Sequence, residues 1–126
     1  MINEGWQQMQ WYIRVIKQYA VFSGRASRIE YWMFVLINFL FGLGGILLSL
    51  LGLNFVLILY SLAIWIPTLA VQVRRLHDIS RSAWWLLVLL IPLAGTIVLF
   101  IFDVLPGDPD TNLYGSVPPS DVSQLI

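Results

Sequence analysis

The chain has 126 residues, 59% of them hydrophobic and 11% charged, and its mean hydropathy is +0.80. A soluble domain carries roughly 25% charged residues, and one this small cannot hide so much apolar surface, so the expected solvent is lipid. The formal net charge is zero and there is no cysteine, which argues against a nucleic-acid partner and excludes disulfides, thiolate metal sites and cysteine nucleophiles.

The N-terminus lacks a basic start followed by an apolar run and a small-residue cleavage site, so it does not read as a secretory signal. Residues 6–22, "WQQMQWYIRVIKQYAVF", have the spacing of an amphipathic helix. Trp6, Met9, Ile13, Ile16 and Ala20 form one apolar row, and Tyr12, Val15, Tyr19 and Phe22 run beside it. Gln7, Gln10, Arg14, Lys17 and Gln18 lie opposite. A wide aromatic face with a narrow basic one suits a helix lying in the headgroup plane, so residues 1–24 are expected to form an interfacial helix with Trp11 as an anchor. The alternative is a helix packed on its own protein.

Ser23-Gly24 ends that helix, with Gly24 suited to a left-handed terminal position. Ser27-Arg28-Ile29-Glu30 fits the capping box S-x-x-E and starts the next one, with Trp32 at the depth of an interface anchor. Residues 31–73 carry no formal charge. They divide at Gly52-Leu53-Asn54 into two runs, 31–53 and 55–73, each long enough to cross a hydrocarbon core of roughly 30 Å. Pro67 should kink the second. Residues 84–102 read as a third span, with Pro92 and Gly95 near its middle and Trp84 and Trp85 anchoring its start. Continuous apolar runs exclude a barrel, whose strands alternate.

The expected fold is therefore an all-α integral membrane protein: three transmembrane helices in a membrane domain, residues 25–105, plus the interfacial N-terminal helix. The tail, residues 106–126, is acidic and rich in Pro and Gly and is expected to be largely disordered. All seven Lys and Arg lie between Arg14 and Arg81, in the segments before the first span and between the second and third. The positive-inside rule puts those segments, and the N-terminus, in the cytoplasm. With three spans the C-terminus is periplasmic.

The chemistry-bearing residues sit in the two basic motifs. Arg74 and Asp78 are four apart, and Glu30 is expected to pair with Arg74 or Arg75, and Asp78 with Arg25 or Arg28. The functional reading of Arg25, Arg28, Arg74, Arg75 and Arg81 is an anion site, most simply for a lipid phosphate. Against it stand residues that merely set topology in the headgroup layer, and a structural ion-pair cluster. His77 beside Asp78 is no dyad, because sequence neighbours on a helix do not face each other, and neither a second histidine nor a clearly placed serine completes a metal or nucleophile site. Asn38 and Gln72 suit helix–helix hydrogen bonds, and Gly45, Ser49 and Gly52 form a small-residue stripe. Asp108-Pro109-Asp110-Thr111-Asn112 starts like a calcium loop but fails at Leu113 and Pro119.

"FSGRASRIEYW" (22–32), "IPTLAVQVRRLHDISRSAWW" (66–85), "IPLAG" (91–95) and "NLYGSVP" (112–118) together resemble the bacterial inner-membrane domain-of-unknown-function family 805, the YhaH-like proteins. The resemblance runs from about Trp11 to Pro118. It implies a small multi-spanning protein of the bacterial inner membrane and no particular activity. The expected function is a non-enzymatic scaffold, assembly factor or accessory subunit acting through a basic cytoplasmic face. The alternative is a module for anionic lipid headgroups or small anions, or a transport component as an oligomer, and an enzyme acting on lipid is the weakest reading. The expected partners are the bilayer, anionic lipids, and a further copy of the chain or another membrane protein. No cofactor, metal or nucleic acid is expected.

Overall fold

The computed structural model describes residues 2–125, with side chains from residue 5. Four α-helices follow in order: α1 (Ile2–Lys17), α2 (Arg28–Leu50), α3 (Asn54–Asp78) and α4 (Pro92–Val104). A 3-10 segment, Ala83–Leu90, precedes α4, and a short 3-10 turn, Val122–Leu125, closes the described chain.

The helices α2 and α3 form the tight antiparallel hairpin that the uncharged run predicts. Gly52 turns the chain with a positive φ of 91°, a conformation that glycine adopts without a Cβ clash. Across the hairpin Tyr31 donates to Gln72 Oε1 at 2.9 Å, and the Tyr60 hydroxyl bonds to Asn38. Their most apolar stretches are only 11% and 22% buried within the molecule. Core helices of a soluble protein would be covered, so this belt, which includes Phe39, Leu47, Leu62 and Trp65, needs an apolar medium around it. Inside α3, Pro67 cannot donate to the carbonyl of Ala63 four residues earlier. The Tyr19 hydroxyl donates to that carbonyl instead.

The third expected span, residues 84–102, is not a crossing helix. At a rise of about 1.5 Å per residue, the 13 residues of α4 reach about 20 Å, well short of the roughly 30 Å core. Ile91 is extended (φ −97°, ψ 100°), as the residue before a proline tends to be, and Pro92 opens a new helix at its first turn. The 3-10 segment and α4 then fold back on each other. A Cβ on Gly95 would sit 1.7 Å from the Val88 carbonyl oxygen, so glycine is what permits the close approach. Trp85 and Phe102, at the two ends of this hairpin, meet edge to face at 5.2 Å. Asp103 returns to the start of α2 and the end of α3: its carbonyl accepts from Trp32 Nε1 at 3.0 Å and its carboxylate from Gln72 Nε2 at 2.8 Å. The expectation of a tail on the far side therefore fails. Residues 105–118 lie at the same end of the α2–α3 hairpin as residues 23–30. Length and hydropathy suggested a span, but Pro92 divides the run and Gly95 lets it double back.

The helix α1 packs on the body. Trp11 and Val15 are fully buried, and Tyr12 stacks on Phe34 at 5.4 Å and donates to Asn38. Trp11 is thus a core residue, not the interface anchor expected from its type. Of the two apolar rows, the one holding Tyr12 and Val15 meets α2, while Trp6 and Ile16 of the other stay exposed. With apolar residues on most sides, periodicity alone does not choose the packed face; Phe34 and Asn38 do.

Candidate functional site

The charged motifs gather where the ends of α1, α2 and α3 meet the tail. Ser27 caps α2, its Oγ accepting from Glu30 N at 3.3 Å. Glu30 does not complete the capping box. Its buried carboxylate points to α3 and α1, with Arg74 Nη1 at 2.8 Å and Arg14 Nε at 3.4 Å. Asp78 takes Arg25 Nη2 at 2.9 Å and Arg75 Nη1 at 2.6 Å. Along α3 the partner of Asp78 is therefore Arg75, three residues back, and Arg74 turns to the neighbouring helices. Burial pushes the Asp78 carboxyl above its ordinary value, with Arg75 and Arg25 acting against that.

Several carbonyls at the end of α3 find donors from beyond the helix. Arg74 O accepts from Ala26 N, Leu76 O from Arg81 N, His77 O from Asn112 Nδ2 and Asp78 O from Asp108 N. Two of these donors come from the tail. Arg25 fastens the tail further, donating to the carbonyls of Asp108 at 2.7 Å, Asp110 at 2.9 Å and Gly115 at 3.2 Å. Arg75 reaches the Leu105 carbonyl. Gly107 passes so close that a Cβ would lie 2.0 Å from Asp78 Oδ2. Residues 105–118 are thus an ordered strap over the charged cluster, not the disordered segment that composition suggested. The low apolar content of the strap is offset by guanidinium-to-carbonyl bonds, which composition does not register.

His77 Nδ1 lies 2.9 Å from the Gly24 carbonyl, so this nitrogen carries the proton, and Gly24 holds the left-handed conformation expected of it, with φ 86°. The imidazole stacks on Tyr114. Burial lowers the His77 pKa, with the Gly24 bond acting against that. Asp108 is held below the usual carboxylate range by hydrogen bonds from Asn112 and Ser80.

Of the residues singled out from sequence, Arg25, Glu30, Arg74, Arg75, His77 and Asp78 are brought together, all buried. Two are not. Arg28 is exposed and donates to the Val104 carbonyl, and Arg81 lies over the rings of Trp85 and Phe102 at 5.0 and 5.1 Å. Of the expected anchors, Trp84 is exposed, while Trp32 and Trp85 bind the 83–104 hairpin. Sequence reasoning missed Arg14 and Gln18, which it left on a solvated face, and Asn112, Tyr114 and Asp103. "NLYGSVP" stood out as a motif, but nothing in it says that it folds back. Among the described residues no group of three His, Asp or Glu could hold a metal.

No solved structure matches the chain. Among curated proteins it is similar to the inner membrane protein YhaH of Escherichia coli (strain K12), 42% identical over 117 residues, which covers 87% of this chain and 97% of that one. It is likewise similar to the inner membrane protein YhaI of the same strain, 45% identical over 113 residues, covering 87% and 96%. A family model described as "Protein of unknown function (DUF805)" matches residues 19–116, which span the bend, both long helices, the hairpin and the strap. The chain belongs to that family.

Proposed function

We propose that this chain is a multi-pass protein of the bacterial inner membrane, with its basic end in the cytoplasm, that acts without catalysis as a scaffold or accessory subunit of a membrane assembly. The membrane placement is supported by the names of the relatives and by the uncovered apolar belt of α2 and α3. The orientation is supported by the gathering of all seven Lys and Arg near one end of the α2–α3 hairpin, with none at the Gly52 turn.

One observation carries the non-catalytic role. The most chemically endowed residues of the chain, Arg25, Arg75, His77 and Asp78, are engaged in holding the strap closed. What the strap presents outward is Leu113, 96% exposed at the tip of the turn bridged between Asn112 and Gly115. An apolar side chain at the tip of a bridged turn suits an anchor in a protein–protein contact. A photo-crosslinking amino acid at position 113 should trap one discrete protein in cells, and a buried-face control at Val71 should not. Adducts to lipid alone, or none, would count against the role, as would turnover of a lipid substrate by the purified protein.

A further inference from the structure

The three buried arginines of the cluster are not equally satisfied. The Arg25 guanidinium is surrounded by acceptors: the Asp78 carboxylate and the carbonyls of Asp78, Asp108, Asp110 and Gly115. Arg75 is similarly engaged by Asp78, Ala26, Asp103 and Leu105. Arg74 differs. Its Nη1 donates to Glu30 and Gln18, but Nε and Nη2 have no acceptor among the described residues, although the side chain is 1% exposed. Arg14 Nε and Glu30 Oε2 are also buried without a hydrogen bond and meet only as a long ion pair, 3.4 Å apart. Leaving a charged donor buried and unpaired is costly, more so than for a neutral group. Arg14 and Arg74 also share the single carboxylate of Glu30, so two cations stand against one anion.

Both arginines line one cavity of about 240 Å³. Its other walls are the Ser23–Arg25 bend, Gln18 and the strap from Tyr114 to Pro119. Three arginines line it and no acidic residue does, since Glu30 and Asp78 stand outside the lining. At about 30 Å³ per water the space equals roughly eight waters, enough for a tetrahedral oxyanion with part of its hydration shell.

We propose that this cavity binds a phosphate-class oxyanion. The partly exposed Arg14 donates to it, the Nε and Nη2 of Arg74 turn to it from beneath the cavity wall, and Arg25 adds positive potential. Arginine's planar fork suits phosphate oxygens, and in a low-dielectric recess such bonds are stronger than in water. The ligand chemistry is shared by inorganic phosphate and by the phosphodiester of an anionic lipid reaching in from the headgroup layer. The site differs from the one the basic motifs suggest by themselves: Arg28 and Arg81 take no part, while α1 and the strap supply walls. The proposal does not depend on the scaffold role, because a strap that holds an anion can still present Leu113.

The test uses the full-length protein purified in a nonionic detergent. Inorganic phosphate is titrated against chloride at constant ionic strength while thermal unfolding is followed. In parallel, native mass spectrometry compares retention of phosphatidylglycerol with phosphatidylcholine. Because Arg74 is buried and its replacement can impair folding, the variants are Arg14→Gln, which removes the partly exposed donor, and Ser116→Trp, which fills the cavity from the exposed strap. A saturable, phosphate-specific rise in Tm that weakens at least tenfold in apparent affinity in both variants supports a free anion. Preferential retention of phosphatidylglycerol, lost in both variants, supports a headgroup phosphate. No preference in either arm, or variants that respond like the wild type, overturns the proposal.

Discussion

His77 and Tyr114 lie ring on ring, with centroids 4.0 Å apart and planes 1° apart, although 37 positions separate them (114 − 77). The contact joins the end of α3 to the strap, so the charge state of the imidazole bears on whether the strap stays closed. Burial lowers the His77 pKa from 6.5, and a group whose folded pKa is depressed contributes stability that is present above its unfolded value. That contribution is lost as pH falls through the folded value. The strap should therefore be firm above pH 6.5 and loosen progressively below it. Asp108, whose pKa lies below 3.8, gives way only in much stronger acid. Amide exchange at Gly115, which donates to the Asn112 carbonyl, should accelerate below pH 6.5 after correction for intrinsic rates. A corrected rate that stays flat across this range would refute the coupling.

The buried pair of Glu30 and Arg74 should behave asymmetrically. Removing one partner strands the other, a loss of about 3–5 kcal/mol, whereas replacing both with apolar residues is often near neutral. Glu30→Leu, which strands Arg74, should lower the unfolding free energy in detergent by about that amount, and Glu30→Leu with Arg74→Met should regain most of it. Arg14, 28% exposed at its side chain, can turn to solvent in the double variant. Equal losses in the single and double variants would mean that the pair is not coupled.

Gly95 and Gly44 offer an internal comparison. A Cβ at Gly95 meets backbone at 1.7 Å, while one at Gly44 meets nothing within 4 Å. Gly95→Ala should destabilise by about 1–3 kcal/mol or more, because the Val88 backbone cannot yield as a side chain would. Gly44→Ala should be neutral or mildly stabilising, since α2 loses a helix-weakening residue. Thermal unfolding in one detergent compares them directly, and similar effects would show that the hairpin does not close as described.

Topology gives the sharpest test of the fold. A reporter active only in the periplasm should be silent when fused after Ile126 and active when inserted at the Gly52 turn. A signal from the C-terminal fusion would restore a third crossing and separate the strap from Arg25.

The sequence carries the long hairpin almost unaided, because an uncharged stretch from 31 to 73 with a glycine turn in it has few other solutions. It also carries the two acid–base pairings, because shared sidedness alone points Glu30 to Arg74 or Arg75 and Asp78 to Arg25 or Arg28, and Glu30–Arg74 and Asp78–Arg25 form. The 83–104 hairpin was hidden because a hydropathy window averages over Pro92 and cannot see Gly95 touching Val88. The strap was hidden for a different reason. Its attachment rests on backbone carbonyls of Asp108, Asp110 and Gly115, which every residue possesses, so residue identity gives no sign that Arg25 will find them. Arg14 escaped notice because a helix face is polar whether it meets water or another helix's carboxylate.

The reach of Arg25 across the chain also sets an order of assembly. Its partners at Asp108, Asp110 and Gly115 lie more than eighty positions downstream, and synthesis adds about 5–20 residues per second. For several seconds of each protein's birth Arg25 has no strap to hold. The strap leaves the ribosome after all the helices it closes over, so a chain cut short before position 108 keeps its long hairpin yet leaves its charged end uncovered.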